Sequence, residues 1–175
     1  MNLKSKERMA AAIDGFRLPR YEEIPNVGLY LEQTTKYIAE YLEPLRDVTI
    51  TGSMISNYVK MGLVANPVKK QYSREQIAAL IFIVVTKTVL SMDNIRVFLE
   101  IQKQSYDSRR AYEYFRLELE NVLRYIFGLK ENPDTVEAED TDEKIMMRNT
   151  IITVAHKVYV DMCFEELRRE AAEKT

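Results

Sequence analysis

Residues 49–72, Thr49-Ile-Thr-Gly52-Ser-Met-Ile-Ser-Asn57-Tyr-Val-Lys60-Met-Gly62-Leu-Val-Ala-Asn-Pro67-Val-Lys-Lys70-Gln-Tyr72, decide how this chain is read. Ser53, after the flexible Gly52, can cap a helix, and Met54, Ile55, Tyr58 and Met61 then recur at helical spacing. Gly62 supplies the left-handed residue that closes a helix, and Pro67 delays the next one. The stretch reads as the second helix of a helix-turn-helix, about 53–61, followed by a short basic turn, 66–72. From residue 49 to 74 the charges are Lys60, Lys69, Lys70 and Arg74, with no acid among them. A local basic patch is what recognition of a phosphate backbone needs.

The patch matters because the whole chain is slightly acidic, with a formal charge of −2. That balance argues against a protein that coats nucleic acid or anionic membrane over its entire surface. At 175 residues the chain supports one domain, or a small domain with a helical extension. The single cysteine, Cys163, excludes an internal disulfide and an all-cysteine zinc site, and in its apolar helical setting it reads as a buried thiol. The single histidine, His156, reads as a helix-packing residue, not a metal ligand or a triad base. No metal site and no cofactor are expected. Residues 1–25 lack an uninterrupted apolar region, so no secretory leader is expected. The longest apolar run, 77–85, is too short to span a bilayer. The expectation is a soluble, cytoplasmic protein without membrane contact.

Five glycines and five prolines punctuate the sequence and period-2 alternation is scarce, so the fold class is all-α. Three segments are expected: an N-terminal arm (1–28), a helix-turn-helix domain (29–104) and a C-terminal helical region (105–175). The arm holds a short helix near 4–13 and an irregular stretch where Pro19 and Pro25 forbid a long one. A helix over 29–45 puts Leu31, Thr35, Ile38, Leu42 and Leu45 on one face. Ser73 and Gln76 form a capping box that opens a helix to about residue 89, apolar nearly all round and therefore central. Ser91 caps the next helix, which carries Ile95, Phe98 and Leu99. Ile55, Tyr58, Leu63, Ile77, Leu80, Ile81, Val84, Ile95 and Phe98 should share one core.

The C-terminal region reads as a pair of long helices. Tyr112, Phe115, Leu119, Val122, Ile126 and Leu129 alternate steps of three and four, an a/d seam. The acidic stretch 131–143, with Asp134, Glu137, Glu139, Asp140 and Asp142, is a solvated linker lacking the glycine-centred pattern of a calcium loop. The last helix, about 142–172, carries Ile145, Ile151, Ile152, Val154, Ala155, Val158, Tyr159 and Met162 as its buried set. These helices are the candidate homodimer interface; packing on each other within one chain as a helical hairpin is the alternative.

Residues 53–101 resemble the DNA-binding head of the MerR family of bacterial regulators. The resemblance rests on Tyr58-Val59-Lys60-Met61-Gly62-Leu63 at the end of the recognition helix and on the proline-led basic segment from Pro67 to Tyr72. The Ser73 opening of a hydrophobic helix and the Leu90-Ser91 junction before the next follow in the same order. The wider sequence, with its Asn57-Tyr58-Val59-Lys60 core, is similar to an uncharacterised bacterial family, known as a domain of unknown function, that carries this MerR-like head. The MerR resemblance implies a winged helix-turn-helix and DNA binding. The chain departs from the pattern by having Ser56 and Asn57 where an arginine usually precedes the tyrosine. Residues 67–72 are also expected to be too short for a two-stranded hairpin wing.

Physical roles follow from the helix itself. Ile55, Tyr58 and Leu63 face the core, whereas Ser53, Ser56, Asn57 and Lys60 occupy the face that can enter a major groove. Asparagine reads adenine bidentately and serine donates to phosphate or base. Lys60, Lys69, Lys70 and Arg74 are suited to phosphates. No glycine-rich phosphate loop, nucleophile elbow or paired catalytic constellation is present, so no catalytic residues are assigned and the chain is not read as an enzyme. The expected function is a transcriptional regulator binding duplex DNA as a homodimer. The alternative is a protein-interaction module on a degenerate helix-turn-helix scaffold, with an unidentified protein partner.

Overall fold

The structure, a computed structural model, describes residues 1–136 and 141–173; Glu137, Glu139 and Asp140 of the acidic linker lie outside the described residues. Among the described residues the chain is mostly helical, with seven α-helices and one sheet of two short strands. Helix α1 (Leu3–Asp14) opens on Asn2, whose side chain accepts from the Ser5 amide. Its buried face, Ser5, Met9 and Ile13, packs on the C-terminal helices. The stretch after it, expected as an arm, is pinned into the core instead. Phe16, Leu18 and Ile24 are buried, the Leu18 amide donates to Glu120 at 2.9 Å, and the Tyr112 hydroxyl donates to the Pro19 carbonyl at 2.8 Å.

The helix expected over 29–45 is three elements. Strand β1 (Leu29–Tyr30) comes first, then α2 (Leu31–Leu42), then a 3₁₀ turn (Glu43–Leu45) in which Pro44 can sit without an amide to donate. Leu29 and Tyr30 leave the helix because they pair antiparallel with β2 (Gln71–Tyr72). The buried face of α2 runs through Thr34, Ile38 and Leu42; Thr35 is only half-buried. Thr34 is tolerated there because its hydroxyl donates to the Leu29 carbonyl at 3.3 Å.

Helix α3 (Gly52–Lys60) follows, then α4 (Arg74–Thr86), α5 (Met92–Ser105), α6 (Ser108–Ile126) and α7 (Asp142–Ala172). The capping box is formed as expected: Ser73 accepts from the Gln76 amide at 3.3 Å while its own amide donates to Gln76 Oε1 at 2.8 Å. Nine of the thirteen residues of α4 are buried, which makes it the central helix. All nine residues expected in one head core are buried in a single cluster. That cluster does not stop at residue 104. Phe82 of α4 packs at a tilt on Phe98 of α5 and edge-on against Phe115 of α6, with centroids 5.5 and 5.3 Å apart.

The C-terminal pair departs most from expectation. Tyr112, Phe115, Leu119 and Val122 are buried against the chain's own helices, so this seam is not available to a second copy. Nor is the pair a hairpin. The contacts Tyr106–Thr141, Glu118–Arg148 and Phe127–Tyr159 advance along both helices in the same direction, so α6 and α7 run parallel. The described start of the connector turns back along α6, to which Asn121 clips it. The Asn121 amide donates to the Asp134 carbonyl at 2.8 Å and its oxygen accepts from the Asp134 amide at 2.7 Å. At 31 residues α7 outruns the 19-residue α6, and α1 covers the surplus through Arg8–Glu166 and Ser5–Glu170.

On α7 itself, Ile151, Val154, Ala155, Val158 and Met162 are buried, Ile152 and Tyr159 half-buried, and Ile145 is exposed. His156 is exposed, not packed between helices, and Cys163 is half-buried. His156 stands at a cleft shared with Tyr125 and Ile126 of α6, and Cys163 packs partly against the core. No helix among the described residues is long and apolar enough to cross a membrane.

Candidate nucleic-acid interface

The cap of α3 lies two residues earlier than its sequence signals indicate. Thr51, not Ser53, is the N-cap, accepting from the Met54 amide at 3.2 Å. Threonine at the cap satisfies a first-turn amide and frees the Ser53 side chain to face solvent. The helix ends as Gly62 requires, at φ +73°: the Gly62 amide donates to Val59 O at 2.9 Å and the Leu63 amide to Tyr58 O at 3.0 Å. This is a Schellman closure, with Leu63 and Tyr58 both buried beneath it. Arg96 of α5 adds a hydrogen bond to the Met61 carbonyl at 2.8 Å, so the C-terminal end of α3 is held from two sides.

The inner face of α3 rests on Ile55 and Tyr58. Lys87, at the end of α4, sets its ammonium 6.0 Å from the Tyr58 ring centre and near the Thr49 carbonyl; burial lowers its pKa. The outer face carries Ser53, Ser56, Asn57 and Lys60, all exposed. These four form one wall of a broad open groove whose other wall is α2, with Glu32, Thr35, Lys36 and Ala39. The Ser56 hydroxyl donates to the Gly52 carbonyl at 2.9 Å and so keeps only acceptor capacity for a ligand. Asn57 makes only a sulfur contact with Met61.

The basic turn is a hairpin after all. Val68 and Gln71 exchange both backbone hydrogen bonds, at 3.1 and 2.9 Å, across a two-residue turn. The type I′ form of such a turn has φ > 0 at both central residues, and here they are Lys69 at +50° and Lys70 at +66°. The expected shortness is real, but a minimal wing closes because both lysines accept left-handed backbone. Its base is built into the fold: β2 pairs with β1, and β1 runs directly into α2. Gly28 permits that pairing, since a Cβ there would lie 2.6 Å from the Gln71 Cβ. The Leu31 side chain in turn lies 3.5 Å from where a Gly52 Cβ would sit, so wing base, start of α2 and start of α3 are successive neighbours.

Arg74 is placed differently from the other three basic residues. Its guanidinium donates to the Ile24 carbonyl at 2.8 Å and the Glu22 carbonyl at 3.2 Å, and lies over the Tyr21 ring. It ties the N-terminal segment to α4. The sequence reading missed the α2 wall of the groove. Glu32, Thr35, Lys36 and Ala39 repeat at three and four on the face beside Ile38, a spacing that would have marked them. Among the described residues no three His, Cys, Asp or Glu side chains gather closely enough to hold a metal ion.

A family model described as Domain of unknown function (DUF1836) matches residues 19–115. Comparison with curated proteins and with solved structures gave no match. The match runs from Pro19, ahead of β1, to the first half of α6, including the groove, the minimal wing and the central helix, and the chain belongs to the DUF1836 family.

Proposed function

We propose that α2, α3 and the Lys69–Lys70 hairpin work as a MerR-like winged helix-turn-helix, and that the protein is a cytoplasmic DNA-binding transcriptional regulator. The observation that carries this reading is the pair of lysines at the tip of the wing. Left-handed backbone at a residue with a Cβ costs about 1–2 kcal/mol, and asparagine and glycine would avoid most of it. Two exposed lysines held in that state make sense where their charge contacts a phosphate chain. Ser53, Ser56, Asn57 and Lys60 supply the base-facing side of the adjacent helix. Arg74 belongs to the scaffold in this reading, which leaves Lys60, Lys69 and Lys70 for phosphates.

One head contacts too few base pairs for specificity, so the regulator acts as a homodimer. With the α6 seam buried, the dimer face is the outer stripe of α7, where Val160, Phe164 and Leu167 are exposed at i, i+4 and i+7. A helix apolar on opposite sides is suited to being covered on both.

Glu32 in the groove and the absent arginine favour a second reading, a protein-interaction module on the same scaffold. Titration of a labelled random duplex at several salt concentrations separates the two. DNA binding through three lysines gives a log–log salt slope of roughly 3 per head, and Lys69→Glu with Lys70→Glu lowers it by about 2. No binding at low salt, or binding indifferent to that double substitution, transfers the assignment to the interaction module.

A further inference from the structure

A row of polar side chains interrupts the apolar seam between α6 and α7. Tyr114, Glu118 and Asn121 on α6 and Lys144 on α7 are all buried. Asn121 is accounted for by its grip on Asp134. Glu118 is not. Its Oε1 accepts from Arg148 Nε at 3.0 Å, while Oε2 is sealed from solvent and accepts from no donor. An orphaned oxygen on a buried carboxylate is destabilising in a way that a leucine at the same position would not be. Burial also pushes the Glu118 carboxyl above its ordinary range against the pull of Arg148.

Glu118 is part of the wall of a cleft of about 360 Å³ between α6, α7 and the connector. Val122, Ile126 and Ile152 give the cleft an apolar patch, and Arg148, His156 and Asp134, the last paired with Lys130, line it beside Glu118. That volume, and an apolar patch bordered by polar and charged side chains, suit a small molecule with one charged end. All these residues lie outside the stretch matched by the family model.

We propose that this cleft binds a small organic cation, an amine, amidine or guanidine on an apolar body, with Glu118 as the carboxylate that receives its N–H groups. The charge preference follows from what is already engaged. Arg148 lines the cleft too but already pairs with Glu118 through Nε, whereas one oxygen of the buried carboxylate has no donor. The terminal torsion of a glutamate is soft, so a modest turn of the carboxylate presents Oε2 to the cleft. An amidinium with two parallel N–H groups matches a carboxylate in the way a guanidinium does.

The test is a titration of the full chain with benzamidine, followed by calorimetry and by amide chemical shifts, with neutral benzamide and anionic benzoate as controls. Saturable benzamidine binding with shifts in α6 and α7 is expected, with benzamide and benzoate much weaker. Glu118→Gln keeps the shape and removes the charge, and should weaken benzamidine by roughly tenfold to a hundredfold, the value of a hydrogen bond to a charged group. Ile126→Trp fills the cleft and should abolish binding with Glu118 intact, which keeps the proposal testable if the Gln variant folds poorly. Absence of saturable binding, equal affinity in Glu118→Gln, or a preference for benzoate overturns it. None of these measurements involves DNA, so their failure is distinct from failure of the regulator reading.

Discussion

At the scale of single residues, the wing lysines make stability and binding run in opposite directions. Replacing Lys69 with Asn and Lys70 with Gly puts the favoured residues into a turn that already has the matching backbone. The double variant should be more stable by about 1 kcal/mol in urea denaturation and should bind duplex DNA more weakly. A variant that loses stability would mean that the lysines serve packing. Glu23 makes a second prediction, this one about pH. It accepts from the Arg20 amide and from Arg17, each at 2.8 Å, which holds its pKa at about 2. A carboxylate depressed in the folded state stabilises above its unfolded value, about 4.3, and that stabilisation is lost as pH falls toward 2. Glu23→Gln should therefore melt lower than the parent at pH 7, and the gap should close near pH 2.

At the scale of elements, the sheet that carries the wing depends on one glycine. In Gly28→Ala the new methyl would have to displace the Cβ of Gln71, which cannot swing away as a side-chain tip can. The expected cost is about 1–3 kcal/mol, typical of overpacking, with loss of amide protection at Tyr72 and in the hairpin. Helix signals were legible in the sequence because they are local. The Ser73 and Ser91 caps, the Gly62 closure and the span of α7 all depend on residues within one turn of each other. β1 was not legible, because two residues have no periodicity and their partner strand lies beyond α2 and α3. Thr51 displaced Ser53 as cap for a similar reason: either can cap, and packing of Ile55 and Tyr58 selects where the helix begins.

At the scale of the whole molecule, one core joins the N-terminal segment, the head and the C-terminal pair, with Phe82 between Phe98 and Phe115 at the junction. The groove therefore stands on a body that cannot be trimmed at residue 104 without exposing α4. The exposed stripe on α7 gives the prediction at this scale. Light scattering at micromolar concentration should report a dimer, and Phe164→Ser with Leu167→Ser should convert it to a monomer with unchanged helical content. A parent that is already monomeric would remove the two-fold arrangement and the expectation of palindromic sites.

The sequence by itself determined the helical class, the order of the helices, the central place of α4 and the outward face of α3. Each follows from periodicity and capping, which act over a few residues and need no partner to be read. Only the tertiary structure decided what those faces meet. It buried the α6 seam within the chain, ran α6 and α7 parallel, drew Arg74 into the scaffold and exposed a different stripe of α7. It also left one oxygen of Glu118 without a donor. The physical reason is that an apolar stripe specifies that it will be covered, whereas what covers it depends on contacts between residues far apart in the chain.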